Sequence, residues 1–145
     1  SSAASDVYKR QVAEARPDVG LEDVLNSEAV GEADVVILDS ASALMPDDLD
    51  DKQRFELMQK LRKITAEGRS IMLCLDPDEM NHKLLHNMRA SAEVVLDLST
   101  ALIGGDLKRS IVVTRFLRAA GPVQTSVGWR VEPSMGFIVD ITAVS

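Results

Sequence analysis

An α/β fold is predicted, with a mainly parallel sheet flanked by helices and antiparallel strands at its C-terminal edge. Three observations in the 145 residues carry this prediction. Short continuous apolar runs at 35–38 and 71–75 are each followed by a stretch in which apolar residues recur at helical spacing. A third run, EVVLDL at 93–98, comes after the second helical stretch, so strands alternate with helices and right-handed crossovers set the strands parallel. In the last third, β-rich runs follow one another with no helix between them, which predicts antiparallel pairing.

The first eleven residues, SSAASDVYKRQ, have neither helical nor alternating periodicity, and DVYKRQ has the look of translated adaptor read-through. Residues 1–11 are read as a non-native or disordered leader, with an ordinary frayed terminus as the alternative, and Tyr8 is given no functional weight. Residues 12–145 are read as the C-terminal part of one domain truncated at its N-terminus. Leu21, Val24 and Leu25 stand at i, i+3 and i+4 and predict a short helix. Gly31 leads into ADVVILDS, where four consecutive β-branched or Leu residues predict a strand buried on both faces. After the loop SALMPDD a helix is expected from about Asp51 to Glu67. Its apolar residues are Phe55, Met58, Leu61 and Ile64, acids stand at its start, and Gly68 follows its end. RSIMLCLD is the next strand, cut off by Pro77, and the second helix carries Met80, Leu84, Leu85 and Met88. The closing strands are KRSIVVTRFLRA, SVGWRVEP and MGFIVDITAV, separated by AAGPVQT and by the turn at 133–136.

Composition narrows the function. A net charge of −7 disfavours non-specific contact with phosphate backbones, so no nucleic-acid partner is expected. No apolar run approaches the roughly 20 residues of a membrane helix. The lone Cys74 cannot form an intrachain disulfide and no signal segment opens the chain, which together predict a cytoplasmic setting.

The strongest local signal is DVVILDS, an apolar strand ending in Asp39. At the carboxyl end of a parallel strand a carboxylate lies over the crevice where α/β sheets take ligands, and it can hold the water shell of a phosphate-bound Mg²⁺, as a Walker B acid does. The plainer alternative is an Asp that caps the following loop. Ser40 is then either a neighbour of the metal site or an N-cap. The companion phosphate loop needs G-x-x-x-x-G-K-[ST], and no Gly-Lys pair occurs in the chain. Arg115 and Arg118, in VVTRFLRA, have the fork that grips phosphate oxygens; their alternative role is to discourage edge pairing. His82 and His86 stand four apart without an HExxH pattern or a third ligand at fixed spacing, and a solvated helical face is the preferred reading. Asp47, Asp48, Asp50 and Asp51 lack a calcium-loop spacing and are read as negative charge at a helix N-terminus. Cys74 is read as a small buried apolar residue, and no Gly-x-Ser-x-Gly elbow is present.

Taken together, DVVILDS, RSIMLCLDPDEM, EVVLDL and the ending KRSIVVTRFLRAAGPVQ…WRVEPSMGFIVDITAV resemble the KaiC-like branch of the RecA-type P-loop ATPases, most of all the ATP-binding accessory proteins of the archaellum motor. The resemblance runs over about 18–145. It implies a RecA-like sheet, Asp39 as the Walker B acid acting on Mg²⁺ through water, and Arg115 and Arg118 on the strand that serves the adjacent subunit's ATP. It further implies a cytoplasmic homo-oligomeric ring that binds Mg·ATP and docks on the motor's secretion-type ATPase and membrane platform. Hydrolysis would be slow or regulatory, and the chain alone inactive. Cys74 and Asp76 depart from the Ser or Thr and the His more usual in that family near the end of the second strand. The alternatives are a KaiC-like signalling ATPase, a RecA/RadA-type paralogue, or a nucleotide-free α/β interaction module.

Overall fold

The computed structural model describes residues 19–140. The proposed leader, residues 1–11, lies outside them. The chain divides at Met88/Arg89 into two units, taken here in turn.

The first unit holds α1 (Leu21–Leu25), α2 (Glu28–Glu32), β1 (Val35–Leu38), α3 (Asp51–Ala66), β2 (Ser70–Leu73) and most of α4 (His82–Ser91), with 3-10 turns at Ser42–Leu44 and Pro77–Glu79. Each helix begins where its sequence can satisfy free backbone donors. Ser27 Oγ accepts from Val30 N–H at the start of α2, a helix the apolar spacing did not reveal. Asp50 and Gln53 close a reciprocal capping box on α3, at 2.8 and 3.0 Å, so the acidic run does stand at a helix N-terminus. Gly68, at φ +89°, takes the chain out of α3 in the left-handed conformation that glycine adopts freely.

β1 and β2 pair in parallel, Val35 with Ser70 through Leu38 with Leu73. One face, carrying Val36, Leu38, Ile71 and Leu73, packs into a core made with Leu21, Leu25, Met58, Leu61, Ile64 and Leu84. The other face is bare: Val35 and Ile37 are 59% and 60% exposed. The expectation of a strand buried on both faces is therefore met on one face only. An unbroken apolar run reports that a strand avoids water without telling whether one face or two are covered. In α3 the buried stripe is Arg54, Met58, Leu61 and Ile64, and Phe55 points outward. Arg54 takes the place expected for Phe55 because its aliphatic stem can lie in the core while its guanidinium donates to Leu49 O and Asp51 Oδ1.

The second unit is a four-stranded antiparallel sheet in the order β3 (Val94–Ile103), β4 (Asp106–Phe116), β5 (Ser126–Glu132), β6 (Gly136–Asp140). The α/β class and the antiparallel C-terminal strands stand, but the run at 93–98 pairs differently from its expectation. It joins β4 antiparallel and has no ladder with β1 or β2 among the described residues. Gly104 and Gly105, both at positive φ, make the two-residue turn of a tight hairpin, which sets β3 and β4 antiparallel.

Register fixes two unlike faces. Leu96, Leu98 and Leu102 stand opposite Val113, Ile111 and Leu107 on one side, and across β5 and β6 the same side carries Trp129, Val131, Phe137 and Val139. The other side is mixed, with Val95, Ile103, Val112 and Ile138 among polar residues that pair with one another. Arg89 grips Asp97 in a fork at 2.5 and 2.8 Å, Thr114 Oγ1 donates to the same carboxylate at 2.9 Å, and the hydroxyls of Ser99 and Ser110 meet at 2.7 Å. The Arg89 hydrogen bond, helped by Thr114, holds the Asp97 carboxyl below its usual range. A carboxyl depressed by folding stabilises above its unfolded pKa of about 4 and loses that contribution as pH falls through the folded value. Arg89→Gln is thus expected to lose about 0.5 kcal/mol at pH 7, a solvent-screened figure for a partly exposed pair, and to converge with the parent in acid. Urea titrations between pH 2 and 7 check both; a gap that widens below pH 4 would refute the assignment.

Candidate functional site

The end of β1 is held beside the end of β2 by two backbone bonds beyond the strands. Cys74 N–H donates to Leu38 O at 2.9 Å, and Ala41 N–H donates to Cys74 O at 2.8 Å. Cys74, half-buried, serves here through its backbone. Between these ties lies the Asp39–Ser40 turn, whose peptide is cis. Asp39 is exposed at the carboxyl end of a parallel strand, where the sequence placed it. Ser40 is half-buried, and its hydroxyl meets that of Ser42 at 2.6 Å. Ser42 is 4% exposed; its Oγ accepts from Asp76 N–H at 3.2 Å and donates to Glu79 Oε2 at 3.5 Å. A hydroxyl relay, Ser40 to Ser42 to the loop after β2, therefore braces the turn that presents Asp39.

Ser42 and Glu79 were missed as parts of this arrangement. The available signal was the repeated Ser in the loop after a buried strand, a polar residue with no apolar periodicity to explain it. Among the described residues no group of three or more His, Cys, Asp or Glu could hold a metal directly. A single exposed carboxylate suits instead an outer-shell role, accepting hydrogen bonds from water on a cation whose remaining charge is met by phosphate.

Arg115 and Arg118 lie at the far end of β4 in the second unit. Arg115 is half-buried opposite Val95, and its Nε is buried without a hydrogen-bond partner among the described residues. Arg118 follows the strand at φ +58°, is 82% exposed, and donates to Glu93 Oε1 at 2.6 Å. Such an exposed pair is weak and exchangeable. β4 lies between β3 and β5, but its ladder with β5 covers Arg109–Val112 only, so Arg115 and Arg118 stand beyond it and edge protection remains the alternative role. The four residues thus fall in two pairs, Asp39 with Ser40 and Arg115 with Arg118, one pair on each unit. His82 and His86 are exposed and line a shallow pocket with Asp51, Arg54, Lys83 and Asn87.

No protein-family model matches the chain. Curated relatives do. It is 32% identical over 130 residues to the archaeal flagellar ATP-binding protein FlaH of Methanocaldococcus jannaschii, covering 90% of this chain and 56% of that protein. It is 31% identical over 121 residues to FlaH of Methanococcus voltae, covering 83% and 53%. The crystal structure of the flagellar accessory protein FlaH from M. jannaschii superposes with a TM-score of 0.72 at 31% identity, over 83% of this chain and 53% of that one. A KaiC-like protein from Pyrococcus horikoshii shares the fold, with a TM-score of 0.53 at 16% identity over 74% and 49% of the two chains. The chain spans about half the length of the curated relatives it matches. Over the span that it shares with them, the chain is similar in sequence and fold to the FlaH proteins, and it has the KaiC-like, RecA-type fold.

Proposed function

We propose that this chain is part of an archaellum-associated accessory protein that binds ATP, and that it contributes the Mg²⁺-facing edge of the nucleotide site. The observation that carries the reading is Asp39, exposed at the carboxyl end of β1 and braced by the Ser40–Ser42 relay, in a chain whose relatives are named ATP-binding. Asp39 would accept from Mg²⁺-bound water, with Ser40 beside it. When bound, Mg²⁺ supplies charge that neutralises the phosphates. Arg115, with its partnerless Nε, and Arg118, in its exchangeable pair with Glu93, would meet the phosphates of an adjacent subunit in a ring. Docking on the motor's secretion-type ATPase and membrane platform belongs to the same proposal. No helix among the described residues is long and apolar enough to cross a membrane, so a place at the membrane would come through those partners. Hydrolysis, if any, would be slow and regulatory.

The test joins this chain to the part of M. jannaschii FlaH that it does not cover and titrates the product with ATP by calorimetry. The chain alone, lacking a Gly-Lys phosphate loop, is expected to give no micromolar isotherm. In the joined protein Asp39→Asn should weaken binding about tenfold with Mg²⁺ and hardly at all without it. Arg115→Ala and Arg118→Ala should abolish ATP-dependent assembly, read by light scattering, while leaving the nucleotide-free Tm in place. Affinity indifferent to Asp39 in Mg²⁺ would remove that residue from the site, and assembly intact in the double Arg variant would remove the trans contact.

A further inference from the structure

We propose that Ser42 and Glu79 are positioning residues that fix the direction of the Ser40 hydroxyl. Their effect, which rests on reading Asp39 and Ser40 as the Mg²⁺-facing edge of a nucleotide site, is to make that turn offer hydrogen-bond acceptors only. A serine hydroxyl has one proton to donate and two lone pairs to fill. Around Ser42 Oγ all three are assigned. Asp76 N–H, at 3.2 Å, can only donate, and it takes one lone pair. The Glu79 carboxylate, at 3.5 Å, can only accept, and it takes the proton. Ser40 Oγ, at 2.6 Å, is left the second lone pair, so it is the donor of that bond. Ser42 is 4% exposed, which leaves little room for a water that would support another arrangement.

The direction of that proton decides what the turn can bind. With its hydrogen turned inward to Ser42, Ser40 shows only lone pairs to the outside, and the exposed Asp39 carboxylate next to it in sequence is acceptor-only as well. Two acceptors on consecutive residues suit the hydrogens of water held on a cation and repel a bare phosphate oxygen. Turned outward, the same hydroxyl would donate, and it would draw a phosphate oxygen into the place of the cation's water. The far end of the relay is held still. Asp76 Oδ1 accepts from Asp78 N–H at 3.0 Å, Glu79 N–H donates to Asp76 O at 3.2 Å, and Pro77 stiffens the turn between them. Glu79 lies 37 residues beyond Ser42, so the loop after β2 sets the chemistry shown at the end of β1.

The test has two arms. In a mixture of water and heavy water, a serine β-carbon resonance splits in two when its hydroxyl proton exchanges slowly. In this chain Ser40 is expected to show the splitting, because Ser42 holds its proton. Glu79→Ala frees the Ser42 proton to turn toward Ser40, and the Ser40 splitting is then expected to be lost. Glu79→Gln, whose amide oxygen still accepts, should keep it, and Asp78→Ala, the loss of an equal charge in the same turn, should change nothing. Both positions are exposed, so these variants keep the fold where Ser42→Ala could lose it. In the joined protein, Glu79→Ala should cut the gain in ATP affinity brought by Mg²⁺ about fivefold, the worth of one hydrogen bond, with the affinity without Mg²⁺ and the Tm unchanged. Four results would each overturn the proposal: no splitting at Ser40 in the parent, splitting that survives Glu79→Ala, a Glu79→Gln variant that behaves as Glu79→Ala does, or a Mg²⁺ gain that Asp39→Asn reduces and Glu79→Ala does not. Asp39→Asn binding as the parent does in Mg²⁺ would overturn the cation reading and this role with it. The splitting is read without nucleotide, so a relay that fails and a cation site that fails are separate outcomes.

Discussion

Leu84→Ala is expected to lower the stability of the first unit by about 3 kcal/mol. Leu84 is 1% exposed, the most enclosed large side chain among the described residues, and it lies in the cluster that joins α4 to Met58, Leu61 and Ile64 of α3. Truncation removes its transfer energy and leaves a cavity whose walls, one side of a single two-stranded sheet and short helices, relax only in part. Since whole domains are stable by only about 5–15 kcal/mol, the loss should be visible as a shifted urea midpoint with little change in slope. A loss under about 1 kcal/mol would show that α4 is not seated on the core as described.

Ser42→Ala is expected to cost about 2 kcal/mol, a large figure for the removal of one oxygen. The buried hydroxyl accepts from Asp76 N–H and pairs with Ser40, so its loss orphans groups on both loops at once. Leaving such groups unpaired costs more than the net worth of the bond that was made. Ser42→Thr keeps the hydroxyl and should recover part of the loss, unless the added methyl cannot be housed. Urea unfolding of the two variants separates the hydroxyl from the space it fills, and equal stability of Ala and parent would dissolve the relay.

What the residues disclosed in advance was mostly what local chemistry controls. The acidic start, the Gly68 stop and the spacing of Leu84, Leu85 and Met88 place α3 and α4 nearly where they lie, although Met80, expected on the second helix, falls just before α4. Asp39 was legible because a strand of four apolar residues has only one place to end. What was not legible depends on the partner across the gap. The β1 run looks the same whether one face or two are covered. Arg54 and Phe55 are consecutive, about 100° apart around the helix, and only the Leu49 carbonyl and Asp51 carboxylate decide that the arginine turns in. EVVLDL did hold a usable clue, since Asp97 between Leu96 and Leu98 alternates as a one-sided antiparallel strand does. Glu93 as the partner of Arg118 lies 25 residues away along the chain, beyond the reach of any local pattern.

The two kinds of strand pairing also set unequal kinetics. β3 and β4 are joined at Ile103 and Asp106, so their ladder can zip from a turn that closes within microseconds and grow through pairs of steadily increasing separation. β1 and β2 meet only after the whole of α3 has been placed, and their first pair, Val35 with Ser70, must be found across that interval. Synthesis presents these tasks in the opposite order of difficulty, since chains emerge N-terminus first. The slow search begins earlier, with Leu21 to Leu73 already off the ribosome, while the quick hairpins wait for residues made after them.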